Sequence, residues 1–314
     1  METLKLNKVI SSNKIPFLNI RQTNEWEKYF NSVGWNSFRL SNKSLVFYRK
    51  TLIGTIAKMT RPSKLDKNLL KELEDKCREY KCIFLKVEPD INQELTLLES
   101  YNYLKNNSPL IPSKTMYINL RLSEKKLWND ISHSGKYAIT RGEREQTTVK
   151  FIKNPSEKQL TSFYQKIVIY RADIKKYHVP TLNDFLLRNT AFKPNTYLSL
   201  VYDKDNNLCG GKFYLAYDNI AYYLFGGTTD IGTKNKSGFV QMWESIKYFK
   251  SIGFKILDLD GIYDERFPLF NKGWTGFSNF KEKFGGIIIK YPHPYIKYFY
   301  PTIRFIINLL KLDI

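Results

Sequence analysis

The chain is poor in the residues that build covalent or metal-centred chemistry, with three cysteines and three histidines in 314 residues. Cys77, Cys82 and Cys209 form no Cys-x-x-Cys pair, and their odd number excludes a closed disulfide framework. His133, His178 and His293 are scattered, without the spacing that sets two imidazoles on one helix face, so no metal site is expected. No run approaches the roughly eighteen apolar residues of a bilayer-spanning helix. The opening METLKLNKVISSNK has neither a continuous apolar core nor a small-residue cleavage site, so no secretory leader is expected and the protein is placed in the cytoplasm. Acidic residues are also few: 30 Asp and Glu stand against 50 Lys and Arg, a net charge of +20.

What is present is a folding sequence. Hydrophobic residues make up 42% and aromatics 15%, with 22 Tyr, 21 Phe and 5 Trp, which excludes a disordered polycation. The length suits two average domains or one large one. The charge excess says nothing about fold, but it points to partners rich in phosphate: nucleic acid, phospholipid or a nucleotide-linked substrate.

Three strand-like runs follow one another at 198–203 (LSLVYD), 211–217 (GKFYLAY) and 220–226 (IAYYLFG), separated by polar turns, and read as an antiparallel meander. A polar loop over 228–237 follows, then a helix over 238–250. There Phe239, Met242, Trp243, Ile246 and Phe249 recur at helical spacing, and a strand returns at 254–260. The same order occurs earlier: paired strands at 45–49 and 52–58, a loop with Arg61, Pro62 and Ser63, an amphipathic helix over 65–80, and a strand at 82–87. The two occurrences lie about 170 residues apart, as expected for a duplicated α/β unit. Between them stand a strand at 115–120 and a helix over 124–132 that Ser123 can cap. A further helix over 156–170 follows Pro155. The expected division is 1–122, 123–286 and a C-terminal segment 287–314.

Meander, helix, strand is the core order of the acetyltransferase-like GNAT fold. In coenzyme-using members a glycine-rich turn before the helix cradles the coenzyme A pyrophosphate. Here that place holds Gly232-Thr-Lys-Asn-Lys-Ser-Gly238, which lacks the usual Gln/Arg-x-x-Gly-x-Gly/Ala run, and the first unit has no glycine there. Five stretches then occur in order: CIFLKVEP from residue 82, TMYINL from 115, KYAITRGER from 136, DLDGI from 258 and FKEKFGG from 280.

From about residue 20 to the end this set resembles the Fem (FemA/FemB/FemX) peptidoglycan-bridge aminoacyltransferases, in their short form without a coiled-coil arm. The resemblance implies an α/β fold of two tandem GNAT-like domains, with mixed, mostly antiparallel sheets flanked by helices. It implies transfer of an amino acid from aminoacyl-tRNA to an amine of a peptidoglycan-precursor stem peptide, forming an interpeptide bridge. Aminoacyl-tRNA is then a co-substrate, and no other cofactor and no metal are expected. The family's functional lysine falls on Lys281, and its basic cluster on Lys136, Arg141 and Arg144. Asp258 matches a strand-end aspartate, with Gly261 the glycine after it.

The chemistry agrees with that implication. An aminoacyl ester is already activated, so an amine can attack it without a covalent enzyme intermediate, provided the reactants are aligned and an oxyanion is stabilised. Lys281 is the candidate oxyanion partner, with a solvated surface lysine as the alternative. Asp258 and Asp260 either orient the amine and accept its proton or form an Asx-type turn. Arg171, after the helix from 156, either contacts phosphate or satisfies a helix C-terminus. Phe280 and Tyr223 complete the candidate substrate-binding residues, although Tyr222, Tyr223 and Trp243 read first as core. Lys136, Arg141, Lys150 and Lys153 taken as a charge run alone read as a solvated face.

In the last twenty residues Lys297, Arg304 and Lys311 recur every seven positions among Phe305, Ile306, Leu309, Leu310 and Leu312. After Pro301 this predicts a short amphipathic helix that either lies at the inner face of a membrane or packs on the first domain. The acceptor is nucleotide- (UDP-) or lipid-linked. Two other functions stay open: a GNAT-like N-acyltransferase using acyl-CoA on an amino sugar of surface polysaccharide, and a non-catalytic tRNA- or membrane-binding module.

Overall fold

The computed structural model describes residues 19–175 and 179–309. A 3₁₀ turn (Ile20–Gln22) runs into α1 (Asn24–Ser32), whose first turn is capped by the Thr23 hydroxyl accepting from the Trp26 amide. Then come β1 (Asn36–Arg39), β2 (Leu45–Thr51), β3 (Gly54–Thr60), α2 (Lys67–Glu79), β4 (Cys82–Glu88), α3 (Leu95–Ser100), β5 (Leu104–Lys105) and β6 (Lys114–Asn119). The second half opens with α4 (Glu124–Asp130), α5 (His133–Arg144), β7 (Thr148–Lys153) and α6 (Glu157–Phe163). The helix continues through a π-helical stretch (Tyr164–Ile169) into α7 (Tyr170–Lys175), and α8 (Leu182–Phe192) follows. The meander is β8 (Thr196–Tyr202), β9 (Leu208–Tyr217) and β10 (Ile220–Thr228). It leads through α9 (Asp230–Lys234) and α10 (Ser237–Ser251) to β11 (Ile256–Asp258), α11 (Thr275–Glu282), β12 (Ile287–Lys290), β13 (Tyr295–Tyr298) and α12 (Pro301–Leu309).

The repeat read from the sequence is present. In the first half β2 and β3 are antiparallel, α2 crosses over, and β4 returns parallel to β3; in the second β9 and β10 are antiparallel, α10 crosses over, and β11 returns parallel to β10. The amphipathic stripes explain both crossovers. Leu70, Leu73 and Cys77 of α2 enter one core, and Met242, Trp243, Ile246 and Phe249 of α10 enter another.

The sheets are completed out of chain order. The first reads β1-β2-β3-β4-β13-β5 and the second β12-β6-β11-β10-β9-β8-β7. Thus β6, on the first side of a boundary near residue 122, is a strand of the second sheet, antiparallel to β11. Conversely β13, from the C-terminal segment, lies antiparallel to β4 in the first. A third cluster joins the halves, uniting Trp26 and Phe47 with Phe163, Phe185, Phe213 and Tyr222.

Several expectations need correction. The polar loop over 228–237 contains the helix α9, capped by the Thr229 hydroxyl on the Gly232 amide. The helix leading to Arg171 does not end before it but runs on to Lys175, and the segment with Lys136, Arg141 and Arg144, to which no element was assigned, is an α-helix. Lys297, grouped with Arg304 in a helical stripe, is in strand β13 and is paired with Glu74, while Leu310, Lys311 and Leu312 lie outside the described residues. The return strand read as 254–260 is shorter, Ile256–Asp258: it begins two residues later, and the chain turns after it, where Asp260 takes a positive φ of 39°.

Because each half contributes a strand to the other's sheet, unfolding is expected to be one cooperative transition, with tryptophan fluorescence and far-UV circular dichroism coinciding in urea. Ile296→Ala, which empties a fully buried β13 position, is expected to lower the unfolding free energy by about 2–4 kcal/mol in that titration without splitting it.

Candidate active site

The two parallel strand pairs behave differently at their carboxyl ends. In the first half β3 and β4 stay paired over six residues, from Thr55 opposite Cys82 to Thr60 opposite Glu88, and the Arg61 amide adds a bond to the Glu88 carbonyl at 2.8 Å. The loop with Arg61 closes this edge further, for its guanidinium donates to the carbonyls of Pro89 and Pro112 at 3.0 Å each and lies 3.8 Å from the Tyr291 ring. In the second half β10 and β11 pair over three residues only, ending at Tyr222 opposite Asp258. A register shift between Tyr223 and Phe225 marks the place, and β10 runs on to Thr228 half-buried. The parallel strands therefore part early in the second sheet, a notch in the hydrogen-bond ladder that the first sheet does not have.

The loop that leaves β11 forms one wall. Asp258 is buried and accepts from the Thr115 hydroxyl (2.6 Å) and the Asp260 amide (2.8 Å). The same Thr115 oxygen accepts from the Gly261 amide at 3.2 Å, so β6 pins both sides of the turn. Gly261 is required here: its φ is +101°, and a Cβ would stand 3.1 Å from Pro112 and Trp274. Burial, reinforced by the charge of Asp260, pushes the Asp258 carboxyl up to about 7. Asp260 is held by Arg21, whose Nη2 donates to Oδ1 at 2.8 Å. Burial works against the Arg21 charge, but Asp260 more than offsets it and the guanidinium stays protonated.

Lys281 is buried, so the alternative of a solvated surface lysine is wrong. It lies in the last turn of α11, whose buried residues are Ser278 and Lys281, so this helix turns a polar stripe inward. The Ser278 hydroxyl accepts from the Tyr263 amide at 2.7 Å. The Lys281 ammonium donates to the carbonyl of Leu259 and, at 2.8 Å, to that of Gly261. Its third N–H has no hydrogen-bond partner among the described residues and lies beside the rings of Tyr223 (5.2 Å) and Phe277 (4.9 Å). Burial lowers the amine to about 8, opposed by Asp260 and Asp258.

The other candidates line the notch at different depths. Tyr223 is buried beneath Lys281, and its hydroxyl lies over Gly226, where a Cβ would come within 2.5 Å. Phe280 faces Phe239 of α10 at 4.9 Å and lies 5.7 Å from the Lys212 amine. Arg171 lies across Gly227, where a Cβ would meet its Cγ at 2.5 Å. Helix α5 flanks the notch, with Gly135 against the Lys283 carbonyl and Gly142 against Val240 and the Lys236 carbonyl. On it Lys136 and Arg141 are half-buried and Arg144 is exposed, and the Lys136 amine reaches the Asn129 carbonyl at 3.1 Å. Lys150 and Lys153 belong instead to the edge strand β7.

Three residues that the structure brings to these candidates were not singled out in the sequence. Arg21 stands 239 positions from Asp260, and Thr115 stands 143 from Asp258, so no local pattern could join either pair. The third is Lys212, a fully buried lysine of β9 that donates to Gln241 Oε1 (2.7 Å) and the Gly238 carbonyl (3.2 Å). With no acid beside it, burial brings it down to about 7. The glycine-containing stretch before α10 is engaged in packing: a Cβ on Gly232 would lie 2.1 Å from the Cys209 carbonyl, and one on Gly238 would lie 2.9 Å from Thr228.

No protein-family model and no curated protein matches the sequence. Solved structures match the fold. FemX superposes with a TM-score of 0.77 at 13% identity, over 95% of this chain and 96% of that one. The C-terminal domain of an Agrobacterium fabrum protein described as a lysylphosphatidylglycerol synthetase gives 0.60 at 11% identity, over 94% of each chain. A tandem GNAT protein from the clavulanic acid biosynthesis pathway gives 0.52 at 8%, over 82% of this chain and 79% of that one. The chain thus has the FemX fold, two tandem GNAT-like units, at identities that speak to architecture alone.

The buried amines have a measurable consequence. Unfolded lysine binds its proton up to about 10.5, whereas Lys212 and Lys281 lose theirs near 7 and 8 in the folded state. The unfolded chain then holds more protons between about 7 and 10.5, and these two groups make stability rise with pH across that window. Urea titrations through the window are expected to show a shallower rise in Lys212→Met than in the native chain.

Proposed function

We propose that this chain is an aminoacyltransferase that moves an amino acid from the ester of an aminoacyl-tRNA to an amine on the stem peptide of a peptidoglycan precursor. The observation that carries the reading is the convergence of Lys281, Asp258 and Asp260 where β10 and β11 part. An architecture shared with FemX supports acyl transfer as the class of reaction. Use of Gly232 and Gly238 for packing favours a donor other than coenzyme A.

The residues suit the chemistry in stated roles. The amine nitrogen forms a bond to the ester carbonyl carbon, and the carbonyl oxygen becomes an oxyanion. The free N–H of Lys281 is the donor for that oxygen, preorganised because two carbonyls hold the ammonium in place. Asp258, with a carboxyl near 7, takes the proton that the attacking nitrogen loses. The bond to the ribose oxygen then breaks and that oxygen is protonated, leaving an amide and deacylated tRNA. Asp260, fixed by Arg21, orients the amine. Arg171, Lys136, Arg141 and Arg144 are the phosphate contacts, and Tyr223 and Phe280 bound the acyl pocket.

In an assay of charged tRNA with UDP-linked or lipid-linked muropeptide, Lys281→Met is expected to lower kcat by about 10²–10³ while the KM for tRNA stays near native. Activity of the native enzyme is expected to decline below about 7, as Asp258 protonates, and above about 8, as Lys281 loses its charge. Turnover with an acyl-CoA and an amino sugar, with no amide formed from any aminoacyl-tRNA, would overturn the proposal.

A further inference from the structure

The hairpin between β2 and β3 ends on two aliphatic side chains that its turn does not need. Leu52 is 108% exposed and Ile53 66%, and the turn is closed instead by the Thr51 hydroxyl donating to the Gly54 carbonyl at 2.7 Å. Such positions are ordinarily taken by Asn, Asp, Ser or Gly, which satisfy the backbone and meet water. Two bare aliphatics at a tip break that rule without any local gain, as binding surfaces do.

The same end of the first sheet carries more apolar surface. Gly54 packs on Ile83 at the start of β4, and the Ile83 carbonyl accepts from the Phe299 amide at 3.0 Å, just before the chain enters α12. Ile303 seats α12 on Ile83, Phe84 and Ile296, while Phe305 is left 68% exposed and Tyr300 46%. Exposed bases surround these side chains: Arg49 and Lys50 beside the tip, Lys81 ahead of β4 and Arg304 on the helix. The acid at this end of α2, Glu79, is paired with Lys76.

We propose that this end of the first sheet docks on an anionic lipid bilayer, with Leu52, Ile53 and Phe305 entering the interface and the four bases meeting lipid phosphates. A second copy is disfavoured, because a two-fold contact would set this basic ring against itself. β3 leads from the tip to Thr60 and Arg61, so the docked face stands roughly 20 Å from the Arg61 edge at about 3.3 Å per residue.

Co-sedimentation of the full chain with vesicles tests it. Binding is expected to vesicles of equal parts phosphatidylcholine and phosphatidylglycerol, to weaken with salt, and to be absent with phosphatidylcholine alone. The double variant Leu52→Ser, Ile53→Asn is expected to bind at least about tenfold more weakly. Lys50→Gln and Lys81→Gln are expected to cost about fivefold each. All are expected to keep the native thermal unfolding, since these side chains are exposed. Native affinity in the double variant, or equal binding to both vesicle types, would overturn the proposal. So would a concentration-dependent dimer that the double variant abolishes, which assigns the tip to a second copy.

Discussion

The buried ammonium of Lys281 holds together the region on which the proposed chemistry depends. By donating to the carbonyls of Leu259 and Gly261 it ties α11 to the chain leaving β11. Asp258, Asp260 and the Gly261 turn then stand in fixed relation to Thr115 and Arg21. A charge is expensive to bury, and here two carbonyls and two nearby carboxylates offset that penalty only in part, which is why its amine is lowered toward neutrality. The strain of the positive φ at Asp260 persists because the surrounding bonds over-determine it.

The two units differ in a feature that matters to the site, the length of the parallel ladder. Six pairs and the Arg61 carbonyl contacts close the first sheet; three pairs and a bulge leave the second open. The open unit gathers the amine, the carboxylates and the aromatic rings, while the closed one supplies Arg21 and, through Arg61, a rigid neighbour. Exchange of β6 and β13 between the sheets, with a core cluster that includes residues of both halves, makes that neighbour dependable. A site built across two units needs their relative position fixed, and each strand that crosses over removes a way for them to separate.

Much of this was legible from the chain alone. The stripe of Met242, Trp243, Ile246 and Phe249 is buried as its spacing requires, and Ser123 and Ser156 cap the helices read after them. The meander and both crossovers follow from period and turn residues. Helix α5 escaped notice because Ile139 is the one large apolar residue among those it buries: Gly135, Ala138 and Gly142 carry little hydrophobic signal, and the two glycines let backbone approach closely. Helix α11 escaped because the residues it buries are a serine and a lysine, the reverse of an amphipathic pattern.

Local rules thus set the elements and the repeat, since propensity and periodicity act within a few positions of the chain, and the resemblance of short motifs pointed to Lys281 and Asp258. Tertiary structure decided what those residues became. It buried Lys281, brought Arg21 to Asp260 and Thr115 to Asp258, and exchanged the two strands. It also opened one sheet while closing the other. Those outcomes are contacts between segments far apart in sequence, and their energies depend on burial and on distance, quantities that exist only once the chain has folded.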